Sequence, residues 1–445
     1  MPTQHWEAYA PDAKAPWDLR RVVHLHRRAA FAAPWDDLQR DLKAGPEAGV
    51  NRLLKGAANG HTPDDFASTA EVLADAAVSA GDINRLKAAW FYRMLFGPDP
   101  VGEQLALVWH DHFATGNTKV RNARAMHRQN ELFRTHGRAK FADLLNAVVR
   151  DPAVLEYLDA PTNRKGHPNE NLARELMELF TLGIGNYTEA DVKEAARCLT
   201  GWSVDADVFT EHATRHDDDS KTVLGATGKW TGTDLLNQLL KHPATADRIA
   251  SKLVKAFFGE GACPVDAVKE LAHGLREHDL DVNWACGAIL RSRLFFADAN
   301  IRTRITAPAE FVAGTARALG LFDPAPSTLA MADWSARMGQ DLFDPPNVGG
   351  WPGGRAWVTS RTLIARANYA AALVEGPNAG RTTAYDPVAA TKAAGLGATR
   401  ADVLTYHHRL LFGTDLTAEM STRLAQLDGR KLVTALLSTP EAQLG

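Results

Sequence analysis

Cysteine is scarce in this 445-residue chain, which holds only Cys198, Cys263 and Cys286. An odd number with no Cys-x-x-Cys spacing excludes a disulfide framework and the common cysteine zinc sites, so the three read as small buried thiols in a reducing compartment. Long apolar runs are missing too. No window approaches the roughly 18 unbroken apolar residues of a membrane span, so none is expected. Residues Met1 to Arg21 carry His, Glu, Asp and Pro where a signal peptide needs an apolar stretch, and the chain as written is expected to be cytoplasmic. Positive charge is not in surplus: 50 Lys and Arg face 53 Asp and Glu, for a net charge of -3, and no basic block stands out. That balance argues against a nucleic-acid partner. There is no Gly-x-Ser-x-Gly elbow, no His-Glu-x-x-His, no Walker or dinucleotide-binding fingerprint and no self-similar period, which removes several common enzyme classes and the solenoids.

Strand-type alternation is nearly absent, whereas helical period recurs from end to end in a chain of ordinary globular composition, 45% hydrophobic and 23% charged. The sequence predicts an all-α body of about 15–20 helices with one long irregular insertion. Residues 1–20 form an N-terminal arm and residues 21–375 the main helical domain. Within that domain residues 203–233 are an irregular loop, and residues 340–358 a loop rich in Trp and Gly. Residues 376–398 look like an Ala/Gly-rich connector, and residues 399–445 supply closing helices that pack on the main body.

The most informative stretch runs from His167 to Gly183. Pro168 and Asn169 suit a helix start, no breaker interrupts residues 170–182, and Gly183 stands where a left-handed residue closes a helix. On a regular helix Glu170, Arg174 and Glu178 are spaced as an ion-pair ladder, while Leu172, Glu175, Leu176, Leu179 and Leu182 share an apolar stripe. Glu175 is thus expected to point inward. A carboxylate taken from water needs a partner or a proton, which fits either a working site or a structural ion pair with a neighbouring Arg.

A second helix is predicted over residues 102–114. His110 and His112 lie about 200° apart on a regular helix, so they chelate one metal only if the end frays at Thr115-Gly116-Asn117. Either histidine also suits a hydrogen-bonded core position. In the 203–233 segment, His212 and His216 are four apart, beside Asp217-Asp218-Asp219, without the Glu of a zincin or the alternating ligands of a calcium loop. The Trp351 and Trp357 loop lacks the Gly-Lys-Ser/Thr of a phosphate loop. It offers two indoles, Arg355 and Asn347, suited either to stacking on sugar rings or to a buried wedge between helices.

Four motifs occur in order: Trp109-His110-Asp111-His112-Phe113, the Asn169-to-Gly183 segment, the Tyr187-to-Trp202 helix and Pro345-Pro346-Asn347-Val348-Gly349-Gly350-Trp351. Together they resemble the large bacterial domain-of-unknown-function family numbered 1800, over roughly residues 20–440. The resemblance marks His110, His112, Asn169, Glu170, Asn171, Arg174, Glu175, Glu178, Asn347 and Trp351 as signature positions and implies no established activity. Relatives' genes often neighbour those of a second family, numbered 1501 and resembling sulfatases, which implies a DUF1501-type partner protein. Many relatives look exported, so the lack of a signal in this chain is a departure and leaves export open.

From these residues we expect an acid/base or metal-assisted hydrolase or lyase acting on a polysaccharide or sulfated glycan. Glu175 or Glu178 is the expected acid or base, with His110 or His112 as proton partner. Arg174 and Asn171 would orient the substrate, Trp351 and Trp357 would stack on it, and Asn169, Trp202 and Asn347 are further expected contacts. In the metal-assisted variant His110, His112 and a carboxylate of the 170–182 helix hold a divalent ion. The alternative is a non-catalytic glycan-binding or assembly partner of the sulfatase-like protein.

Overall fold

A computed structural model of the protein describes residues 5–56 and 60–445; residues 1–4 of the expected N-terminal arm, and residues 57–59, lie outside the described set. Twenty-three α-helices among the described residues confirm the all-α class and exceed the expected number, with two small two-stranded sheets beside them. A single hydrophobic cluster runs from Trp6 to Ala442.

At its centre lies the helix Pro100–His112. Pro100 occupies the first turn, where its missing N–H costs nothing, and the Asp99 carboxylate accepts from Gly102 N–H at 2.9 Å. Apart from Gly102 and Val108, residues 100–110 are all buried, because Leu19–Ala29, Ile83–Phe96, Ala123–His136 and Pro243–Phe258 pack around the helix. Toward the C-terminus, Ser360–Glu375 packs on Gly429–Ser438. Arg27 ties these closing helices to the first helix through the carbonyls of Ala442 (3.0 Å) and Leu444 (2.8 Å). The segment expected to be a plain connector contains the short helix Pro387–Ala393.

Two expectations need correction. Residues 203–233 are not irregular throughout: Trp202–Asp205 pairs antiparallel with Val208–Glu211, and Lys221–Val223 with Ala226–Gly228. Each hairpin turns through two residues of positive φ, Ala206 (50°) with Asp207 (60°) and Leu224 (50°) with Gly225 (77°), the two-residue geometry that matches strand twist. Strands of three or four residues are too short to display an alternating pattern.

The stretch after Asn169 is not one regular helix either. Asn171–Glu175 is α-helical and Leu176–Thr181 is a π-helix, where Leu182 N–H reaches back five residues to Met177 O (2.8 Å). Gly183, at φ 80°, closes it as expected.

Candidate functional site

Each residue from Trp109 to His112 directs its polar atoms to a different part of the chain, since neighbours on a helix point about 100° apart. Trp109 Nε1–H donates to Gly137 O (2.8 Å). His110 Nε2 accepts from Phe343 N–H (3.0 Å). Asp111 Oδ1 accepts from Trp351 N–H (2.8 Å), and its Oδ2 pairs with Lys252 Nζ (2.6 Å). His112 Nε2 donates to the carbonyl of Phe180 (3.0 Å). The loop can come this close because residue 350 is glycine: a Cβ there would overlap the Asp111 carboxylate and carbonyl.

His112 thereby satisfies a carbonyl in the last turn of the π-helix. Arg248 Nε does the same for Leu179 O at 3.1 Å, and Asn186 Nδ2 for Leu182 O at 3.0 Å. Burial pushes His110 down to about 4 and His112 well below the usual histidine range, so both are neutral at pH 7.

These contacts do not fit a divalent metal at the two histidines. They face different segments, both Nε2 atoms are engaged with backbone, and no third donor joins them. Among the described residues no cluster of three or more His, Cys, Asp or Glu has metal-holding geometry. His212 and His216 part company as well: His212 pairs with Asp205 at 3.1 Å, while His216 Nδ1 donates to Thr200 O at 3.0 Å.

The two glutamates of the expected acid/base pair do not line the cavity of Trp351 and Trp357, whereas His110 packs its ring 5.4 Å from that of Trp351. Glu175 is half-buried, and its carboxyl is pushed up by desolvation first and then by Glu178. The charges acting on it are those of Glu178 and Arg174, while the Nε2 atoms of the two histidines are engaged by Phe180 and Phe343 instead. The ladder is only partly realised. Arg174 pairs with Glu170 (2.9 Å), but its second partner is Glu189 of the next helix (2.7 Å), and Glu178 instead accepts from Tyr187 Oη–H at 2.7 Å.

Asn169 Oδ1 accepts from Asn171 N–H (2.9 Å), and Asn171 Nδ2 donates to Asp159 (3.1 Å), so both shape the helix start. Asn347 Oδ1 accepts from Gly349 N–H (2.8 Å), shaping its own turn. Trp202 is buried under its hairpin, with Phe209 edge-on and the Arg150 guanidinium over its ring.

Trp351 and Trp357 both line one cavity, of about 390 Å³. One side is a face of the central helix, Gln104, Leu107, Val108 and Asp111, at the i, i+3, i+4, i+7 spacing. Lys252 and Lys255 of Pro243–Phe258 line it too, with Lys252 in contact with Asp111, and so do the buried Arg28 and Glu310 together with Arg304. Five cations (Arg28, Lys252, Lys255, Arg304, Arg355) line it against three carboxylates (Asp111, Glu260, Glu310). Lys255 pairs with Glu260 (2.9 Å) and Arg304 with Glu310 (2.8 Å). Burial lowers Lys252, with Asp111 pulling the other way.

All four sequence motifs thus have a place in the fold. The sequence profile of the DUF1800 family, described as a protein of unknown function, matches residues 24–444. The chain belongs to the DUF1800 family. No curated protein and no solved structure matches it. In this DUF1800 protein the signature motifs mainly join helices, and the cavity beside them draws on residues that sequence inspection passed over. Asp111 had a visible signal, standing inside the Trp109-to-Phe113 motif and at the end of the Gln104 stripe. Arg28, Lys252, Arg304 and Glu310 carried none, because they are brought together from across the chain.

Proposed function

We propose that this protein binds a hydroxylated, anionic ligand of the polysaccharide or sulfated-glycan class in the Trp351–Trp357 cavity and acts on it as a hydrolase or lyase. The observation that carries this reading is the convergence of two indoles and five cations on one cavity. Indole faces suit sugar rings, surplus positive charge suits a sulfate or carboxylate, and the volume falls in the range of small-ligand sites. Lys252 is the proposed proton-transfer group, since a lysine whose pKa burial lowers is closer to the range where it accepts a proton. Asp111, 2.6 Å away, would hold its ammonium. Glu175 with Glu178 is the second proposed acid/base location, because desolvation favours a proton on Glu175.

The test is incubation with sulfated, uronate-containing and neutral polysaccharides, following new reducing ends for hydrolysis and unsaturated uronate ends for elimination. Cleavage of an anionic polymer that Trp357→Ala weakens supports the reading. Cleavage of none by a protein that also binds none overturns it.

A second reading, a glycan-binding or assembly partner of a DUF1501-type protein, is favoured by one observation: every carboxylate of the cavity is already paired with a cation, through Lys252, Lys255 and Arg304. It expects tight binding of an anionic glycan without turnover.

A further inference from the structure

Arg28 differs from the other cations of the cavity. The residue is 1% exposed, and its side-chain hydrogen bonds among the described residues all go to uncharged oxygens: the carbonyls of Phe257 and Asn300 (the latter at 2.9 Å) and Thr303 Oγ1 at 3.2 Å. Its Nε has no partner. In the same cavity wall Gln104, 4% exposed, leaves its amide Nε2 without a partner. A buried cation bonded only to neutral oxygens and a buried amide donor without an acceptor are each costly, and proteins keep such groups where a ligand completes them. The two sit on different elements, Leu19–Ala29 and Pro100–His112, so local chain geometry does not explain them jointly.

Cations outnumber carboxylates among the charges that act on Arg28. Arg27 and Arg304 are the cations acting on Arg28, and Glu310 is the only carboxylate doing so. That carboxylate is taken by Arg304 (2.8 Å) and by Ala307 N–H (3.1 Å). Lys255, another lining residue, is half-exposed and held to Glu260 by a contact that water screens.

We propose that the cavity holds an oxyanion subsite in which Arg28 and Gln104 take the sulfate or carboxylate substituent of the ligand, with Lys255 drawing it in. The inference rests on the cavity being the ligand site, but it is tested without a glycan. Charge-assisted hydrogen bonds to a buried guanidinium discriminate an oxyanion from a hydroxyl, so an anionic group would bind at these two residues while sugar rings lie toward the indoles.

The experiment is calorimetric titration of the whole protein with sodium sulfate, and separately with sodium acetate, at constant ionic strength. The proteins compared are wild type, Gln104→Leu and Lys255→Ala. Gln104→Leu replaces an unpartnered amide by an apolar side chain of similar size and is expected to fold, which its thermal transition verifies; Lys255→Ala changes a half-exposed residue. Saturable one-to-one binding that Gln104→Leu weakens about tenfold and Lys255→Ala about threefold supports the subsite, and the salt that binds tighter identifies the group. Absence of saturable binding by either salt, or binding of equal strength in all three proteins, overturns it. The proposed glycan function fails separately: a protein that binds sulfate through Gln104 yet neither binds nor cleaves any polysaccharide upholds the subsite and removes the glycan.

Discussion

The carboxylate face of the π-helical segment and the cavity beside Trp351 carry the same kinds of residue in opposite states of compensation. On the first surface Arg174 meets Glu170 and Glu189 and Glu178 meets Tyr187, all in partial contact with water, and the half-buried Glu175 is the exception, raised by desolvation and by Glu178. In the cavity positive charge exceeds negative, and every side-chain hydrogen bond of the buried Arg28 among the described residues goes to an uncharged oxygen. A motif rich in Glu and Arg is therefore weaker testimony to a working site than an imbalance held inside the fold. Surface ion pairs contribute little and form readily, whereas an uncompensated buried charge has to be stabilised by something.

The sharpest way to break the contrast is turnover. Once an anionic substrate is found, Lys252→Gln should lower kcat by about a hundredfold or more, the usual size of a general acid–base contribution, while Glu175→Gln stays within about twofold. The reverse pattern, measured on the same substrate, would move the chemistry to the π-helical face. Stability comes next. His112→Ala should cost about 3 kcal/mol in urea denaturation, since it opens a cavity and leaves the Phe180 carbonyl unpaired. A loss below ~1 kcal/mol would mean that the π-helix closes without this donor.

A third test uses pH. The folded His110 titrates near 4, below its unfolded value, so its contribution is whole above about pH 6.5 and is lost as pH falls toward 4. Between pH 7 and 5 that is about 2 kcal/mol, which His110→Gln should remove from the pH dependence of the urea midpoint. Asp151 acts with the opposite sign. Burial raises it to about 7, so its contribution is lost as pH rises from about 4 through 7, and Asp151→Asn should steepen the acid fall. The smallest effect belongs to the surface: Arg174→Ala should cost less than ~1 kcal/mol, readable in the same denaturation series.

Much of the helical architecture was legible because it follows from period and capping. Gly183 ends the segment it was expected to end, the predicted helix over residues 102–114 is found at Pro100–His112, and a capping box of Thr188 and Asp191 opens the helix of the Tyr187-to-Trp202 motif. The ladder failed at one point for one reason. A period of 3.6 assumes every turn is alike, and the wider turn after Glu175 rotates Glu178 away from Arg174 toward Tyr187. The cavity was half legible. Trp351 and Trp357 stood out by type and spacing, but Arg28, Gln104 and Lys252 become a site only when helices far apart in sequence meet, and local pattern holds no record of that meeting.

The joint at Trp109 to His112 bears on the order in which this molecule is assembled. Its partners lie 28, 68, 141, 233 and 240 positions further along the chain. During synthesis the helix would thus leave the ribosome long before Phe343 and Trp351 exist to meet it. Until they arrive, His110 and Asp111 lack their backbone donors. The joint at this helix end is therefore complete only once the last third of the chain has closed over it.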